Sequence, residues 1–217
     1  MKICFLASGG GGNLKFLHLS KEYGILKNIE LSVIADRECS SIEFAKSKGI
    51  YSSVITYKRD NNQALKSELK RIDPDIIITN WHKIIDNEVV DKYAGKLINL
   101  HYSLLPAFAG LIGVEPIEKA YIQGCKYIGA TCHYVDNGVD TGKIISQTVV
   151  KTEQKIENAI QEVFQNGCII LLSSIIRVTK NNSLISIIKN NNFDFSPSLQ
   201  FNHEVFDNNF WKELKQL

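Results

Sequence analysis

The chain has 217 residues, enough for one to two domains of the usual ~100 to 200 residues and for a core that buries roughly 70% of the unfolded surface. Its 25 Lys plus Arg against 23 Asp plus Glu leave a net charge of +2, too small to indicate a nucleic-acid or membrane partner, though a small anionic ligand stays open. Five cysteines (Cys4, Cys39, Cys125, Cys132, Cys168), an odd number with no CxxC pair, indicate neither a disulfide framework nor a zinc ribbon and read as reduced, cytoplasmic thiols.

Met1 leads at once into the strand-like KICFLA, without the charged start and cleavage site of a secretory signal, and no apolar run reads as long enough to span a bilayer. Short apolar, β-rich runs then alternate with segments of helical period. Ile3 to Ala7 is the first predicted strand, followed by the turn SGGGGN (Ser8 to Asn13) and a helix over Asn13 to Tyr23. Leu31 to Ala35 and Tyr51 to Ile55 are strands flanking a helix over Ser40 to Lys48. A helix over Asn61 to Ile72 precedes the strand Asp75 to Thr79, and one over Asn87 to Tyr93 precedes the strand Leu97 to Leu100. This alternation predicts an α/β fold with a doubly wound, mostly parallel sheet of Rossmann-like type. Pro74 and Pro106 stand at turns, where a missing donor does little harm. Gly129 to Gln147 reads as strand, polar turn and strand, and a long helix follows from about Ile156 to Val178. Beyond it lies an Asn-rich, irregular tail, with turns at Lys180 and Lys189 around SLISIIK. Residues 1–180 are expected to form the catalytic domain and 181–217 a short C-terminal extension packed on it, with no internal repeat and no linker.

Asn99 and His101 stand two residues apart on a strand, a spacing that puts both side chains on one face. An amide donor beside an imidazole suits a reaction passing through an oxyanion. Alone, the pair reads first as a structural hydrogen-bonded pair, and it is the downstream turns that point to catalysis. The downstream turn holds Asp136 and Asp140, and a carboxylate there would orient His101. The glycine cluster lies between a strand and a helix, where free N–H groups make an anion site. It lacks a glycine at position 14, where Leu14 stands, and has no Gly-Lys pair, so neither the dinucleotide fingerprint nor the Walker loop is present. A tight turn without a ligand is the plain alternative. Asp36, after the second strand, reads as a solvated turn acid rather than a ribose ligand. His133 reads as a packed or hydrogen-bonded core histidine rather than a metal ligand, and no metal is expected. Trp81-His82-Lys83 follows the fourth strand, where open α/β sheets bind ligands; an exposed Trp-His turn is the competing reading.

KLINLHYSLLPAFAG (Lys96 to Gly110), GATCHYVDNGVDTGKIISQ and the glycine cluster together resemble the folate-dependent formyltransferases, and chain length most resembles the glycinamide ribonucleotide transformylase branch. The resemblance covers roughly residues 1–180. It implies Asn99, His101 and Asp140 as catalytic residues and 10-formyltetrahydrofolate as cosubstrate. Trp81, His82, Lys83, Val135, Asp136 and Val139 would frame the pterin, and Gly9, Gly10, Gly11, Gly12 and Asn13 would hold the phosphate of a small-molecule amine acceptor. On this reading Asn99 and protonated His101 stabilise the tetrahedral oxyanion, with Asp140 keeping the imidazole charged.

Some residues depart from the family pattern. Tyr102 stands where proline is common, Trp81-His82-Lys83 replaces a Met-Arg type loop, LIGVEPI (Leu111 to Ile117) is slightly longer, and Asn166 takes roughly the place of an acidic residue that helps hold the ribonucleotide. The tail adds Phe193, Phe195, Phe201, Phe206, Phe210 and Trp211, which would staple the tail to the core, border an acceptor base or form a homodimer contact. Three readings follow: transfer to glycinamide ribonucleotide, transfer to a nucleotide-linked amino sugar, or a non-catalytic folate- or nucleotide-binding protein. A formyltetrahydrofolate hydrolase would carry a further N-terminal domain, which a first strand starting at Lys2 argues against.

Overall fold

A computed structural model describes residues 1–181, 183–184 and 194–217. The predicted turn at Lys189, most of SLISIIK and Phe193 lie outside the described residues. Among the described residues, eight strands form one sheet: β1 Lys2–Ala7, β2 Glu30–Ala35, β3 Tyr51–Val54, β4 Ile76–Asn80, β5 Leu97–His101, β6 Tyr127–Tyr134, β7 Ile144–Lys151 and β8 Phe195–Ser196. Their spatial order is β3-β2-β1-β4-β5-β6-β7-β8. The strands from β1 to β5 pair in parallel, whereas β5 with β6, β6 with β7 and β7 with β8 are antiparallel.

The parallel half needs crossovers, and helices α1 Gly12–Glu22, α2 Ser40–Ser47, α3 Gln63–Ile72 and α4 Asn87–Lys92 supply them. Strand β1 is buried along both faces, as a central parallel strand must be. Its side chains alternate between two cores: Ile3, Phe5 and Ala7 meet Leu14 and Phe16 of α1 and Ile42 of α2, while Cys4 and Leu6 meet Leu65 of α3 and Val89 of α4. Two further helices, α5 Glu115–Ile122 and α6 Ile156–Thr179, cover the first of these faces. Helix α5 starts inside the segment read as a lengthened loop; Pro116 in its first turn, with Glu115 and Glu118 beside it, is a start signal.

At 24 residues α6 is long and apolar enough to cross a membrane, contrary to the expectation from apolar runs, but 67% of its apolar window is buried inside the fold. Its Cys168, Leu171, Leu172, Ile175 and Ile176 lie in the main core. The C-terminal extension is more regular than expected. It closes with helix α7, Asn208–Gln216, started by Asp207, whose carboxylate accepts the N–H groups of Asn209 and Phe210. Phe210 and Leu214, four residues apart, bury one face of α7. Phe195, Phe201, Phe206 and Phe210 all join the chain's own core, which removes these rings from any dimer contact or base border; Trp211 stays half-buried.

Candidate active site

Strand β5 lies where the sheet changes from parallel to antiparallel, so Asn99 has Thr79 of β4 on one side and His133 of β6 on the other. Residues directly opposite in an antiparallel pair project to the same face. The Asn99 amide nitrogen is 3.3 Å from His133 Nε2 and 3.5 Å from Asp140 Oδ1. His133 donates from Nδ1 to the Tyr134 carbonyl at 2.8 Å, which leaves Nε2 as the acceptor that orients the Asn99 amide. His101 places Nδ1 3.3 Å from Asp140 Oδ2 and Nε2 3.1 Å from the Phe108 carbonyl oxygen. Asp140 has φ 54°, a left-handed conformation that aspartate tolerates better than most residues. It also accepts the Gly110 N–H at 2.8 Å.

The turn that carries Phe108 is clamped from β6. Thr131, opposite His101, donates to the Ser103 carbonyl at 2.7 Å and accepts the Leu105 N–H at 3.1 Å and the Gln147 amide at 3.0 Å. Burial pushes the His101 imidazole below its ordinary pKa, with the Asp140 charge and the Phe108 carbonyl acting the other way. Burial thus favours the neutral ring in the resting protein, where the resemblance implied a charged one. In either neutral tautomer one ring lone pair faces an oxygen, so the site is built to welcome a proton that arrives during reaction. For Asp140, burial raises the pKa, but the neighbouring His133, the Gly110 N–H and the nearby His101 outweigh it and hold the carboxyl below the usual carboxylate value.

Three contiguous clefts cross the C-terminal ends of β1, β4 and β5, the general ligand position of open α/β sheets. In the first, Trp81, Lys83, Val135, Asp136 and Val139 line the same space as Asn99, His133 and Asp140. The second holds Asn99, His101, Tyr102, Asn80 and His82. The third is walled by Gly9 to Asn13 with Ser41, Asn80, His82, Tyr102 and Phe164. Asn99 belongs to the first two, and Tyr102 and His82 to the last two.

His82 therefore departs from the group assigned to the pterin: its backbone N–H is fixed by Ser8 Oγ at 3.2 Å, and it lines the two clefts on the glycine-loop side. Trp81 is half-buried, its ring 4.6 Å from that of Tyr57. Asp36 is not a solvated acid; its side chain is 4% exposed and bound by both Arg37 donors, at 2.7 and 3.1 Å. Burial raises its pKa, yet the paired Arg37 guanidinium and the neighbouring Ser8 and Trp81 side chains bring it down to about 2. It braces the loop between the clefts.

At the glycine loop, Gly11 begins α1 in the left-handed region with φ 69°, and a Cβ there would stand 2.6 Å from Ser41 Oγ. The Gly9 carbonyl accepts both the N–H and the hydroxyl of Ser41, leaving the first-turn N–H groups of α1 without intrahelical partners. Asn13 corrects the simplest form of the phosphate-loop expectation. Its side chain is 4% exposed and accepts from the Cys168 thiol at 3.5 Å, so it turns inward and leaves its backbone N–H as the group placed for an anion. Tyr102 also packs beneath Gly167 of α6, where a Cβ would lie 3.1 Å from its ring.

Sequence reasoning missed Thr131 and the Phe108 carbonyl as parts of this arrangement, whereas His133 is the buried, hydrogen-bonded histidine that was expected. Residues 131 and 133 share strand parity, but only the β5–β6 register shows that their face is that of Asn99 and His101.

Residues 1–172 match the protein family described as Formyl transferase. Phosphoribosylglycinamide formyltransferase of Bacillus subtilis is 32% identical over 160 residues, covering 70% of this chain and 80% of the relative. Formyltetrahydrofolate deformylase of Haemophilus influenzae is 29% identical over 140 residues, covering 62% of this chain and 49% of the relative. The chain spans about half the length of several curated relatives that it matches. Among solved structures, glycinamide ribonucleotide transformylase 1 from Symbiobacterium toebii superposes with a TM-score of 0.74 at 25% identity, covering 83% of this chain and 88% of that one.

Proposed function

Because the chain belongs to the formyl transferase family, we propose that it transfers a formyl group from N10-formyltetrahydrofolate to the primary amine of a phosphorylated sugar-type acceptor, glycinamide ribonucleotide. The observation that carries this reading is the convergence of Asn99, His101 and Asp140 at the junction of the clefts, with the glycine loop at the opposite end. The name of the Bacillus subtilis relative supports the acceptor. Residues 1–180 act as the catalytic unit on this reading, with 181–217 as an extension packed on it.

The pterin occupies the cleft of Trp81, Lys83, Val135, Asp136 and Val139, and the acceptor lies towards Gly9 to Asn13. The amine attacks as its free base. A nitrogen–carbon bond forms as the formyl C=O pair moves onto oxygen, where the Asn99 amide donates to it; one such donor is worth roughly 3 to 4 kcal/mol in the transition state. His101 takes up the proton that the attacking nitrogen loses and is held as imidazolium between Asp140 and the Phe108 carbonyl. The oxygen pair then returns to re-form the formyl C=O as the bond from that carbon to N10 breaks, its electron pair going to N10, which receives that proton. His101 ends neutral, as it began.

A second reading places the amine on a nucleotide-linked amino sugar. It is favoured by Tyr102, a departure from the family pattern that packs against Gly167 and lines the middle cleft. The test is a spectrophotometric assay with 10-formyltetrahydrofolate, offering glycinamide ribonucleotide and nucleotide-linked 3-amino and 4-amino sugars in parallel. Turnover with the ribonucleotide supports the first reading, and turnover only with an amino sugar supports the second. Folate binding without turnover on any acceptor returns the protein to a binding role.

A further inference from the structure

A fourth cleft lies on the other side of the glycine loop, between α1, α6 and α7. Gly10, Gly12, Lys15, Phe164, Trp211 and Lys215 form most of its wall. Gly10, Gly12 and Phe164 also line the loop's inner cleft, so the two spaces share one wall. The Phe164 ring rests on Gly12 so closely that a Cβ there would come within 2.8 Å of it.

Trp211 is a fixed platform rather than a loose surface ring. It stacks on Phe16 with centroids 5.8 Å apart and planes at 14°, and Phe210 meets it edge-on at 5.4 Å. Lys15 and Lys215 bring two positive charges, and no carboxylate is among the lining residues. Lys215 reaches across to Gln161 Oε1 at 2.8 Å, which holds its charge over the opening.

A rigid indole, a second aromatic ring, two ammonium groups and a neighbouring anion loop match a flat ring joined to a phosphate. We propose that this cleft binds the aromatic ring of a nucleotide whose phosphate is held by the Gly10 to Gly12 loop and the two lysines. Two sources supply that chemistry: a free nucleotide, or an acceptor whose amine is itself part of a nucleotide. The inference rests on the reading above only for the phosphate at the glycine loop.

The test is calorimetric titration of the full chain with AMP, UMP and ribose 5-phosphate, the last carrying phosphate without a ring. AMP or UMP is expected to bind at least tenfold more tightly than ribose 5-phosphate. Lys215→Glu, an exposed change that spares the core, is expected to weaken the nucleotide at least fivefold, and Trp211→Leu to remove the preference for a ring. Equal affinities for AMP, UMP and ribose 5-phosphate, or nucleotide binding indifferent to Lys215→Glu, overturn the proposal.

The formyl-transfer assay then separates the sources. Transfer to glycinamide ribonucleotide with AMP raising its KM identifies a free nucleotide; transfer only to a nucleotide-linked amine, with KM raised by Lys215→Glu, identifies the acceptor. A ring preference without transfer to any acceptor would overturn the proposed function and leave the cleft assignment standing. Transfer without a ring preference would do the reverse.

Discussion

On the proposed reading, Asn99 donates to the charge that develops on the formyl oxygen. Asn99→Ala is expected to lower kcat by about 10² to 10³-fold while leaving the affinity for 10-formyltetrahydrofolate nearly unchanged, as single-turnover kinetics and folate titration would show; equal turnover would remove Asn99 from the mechanism. His101 yields a prediction in pH. Its pKa lies below 6.5 because burial outweighs the attraction of Asp140, and the reaction uses the neutral ring. Transfer should therefore rise with pH in two steps, one through the His101 midpoint below 6.5 and a second as the acceptor amine loses its own proton near pH ~8. Since Asp140 raises the His101 pKa, Asp140→Asn should move the imidazole titration, followed by NMR, to still lower pH. A His101 midpoint above 7 would contradict the burial argument. That Asn99, His101 and Asp140 meet was legible from the strand spacing of the first two and from the family resemblance that added the third. The resting protonation of His101 was not, because it depends on how deeply the ring is buried, and the inward turn of the Asn13 side chain depends on Cys168, which is 155 residues away.

Among the elements, the parallel half could be read almost strand by strand, because each buried strand is an apolar run and each crossover helix has its own period. The antiparallel half was legible as a hairpin, but its register was not. Gly129 shows why that register is demanding: a Cβ would stand 1.9 Å from the Thr148 carbonyl oxygen of β7. Gly129→Ala must therefore push the two strands apart, and a loss of at least ~3 kcal/mol is expected, at the upper end for single substitutions; denaturant unfolding would measure it, and a loss below 1 kcal/mol would mean that the hairpin yields easily. At α7, Asp207→Ala removes the acceptor for two N–H groups and should cost about 1 kcal/mol. That helix was hidden in the sequence by its short length and the asparagines around it, although the Asp cap and the Phe210, Leu214 stripe are its signals.

For the molecule as a whole, the C-terminal segment is part of the main core rather than an appendage. Phe210, fully buried, touches Phe206 and Trp211 and stacks edge-on against Phe16 of the first helix. Phe210→Ala should cost about 3 to 5 kcal/mol and should lower the melting temperature of the entire chain in a single transition; an unchanged main transition with a separate early one would mean that the segment melts independently. The reversal of strand direction at β5 also bears on how the protein reaches its active form. Asn99 and His133 are 34 residues apart and come from two differently built parts of the sheet: crossover units whose strands meet only after a helix is laid down, and a hairpin that closes locally. Helix and hairpin signals should then recover early in refolding, while catalytic competence waits for the two halves to dock along one strand pair. The return of activity thus acts as a clock for the last long-range step of folding, lagging behind far-ultraviolet circular dichroism.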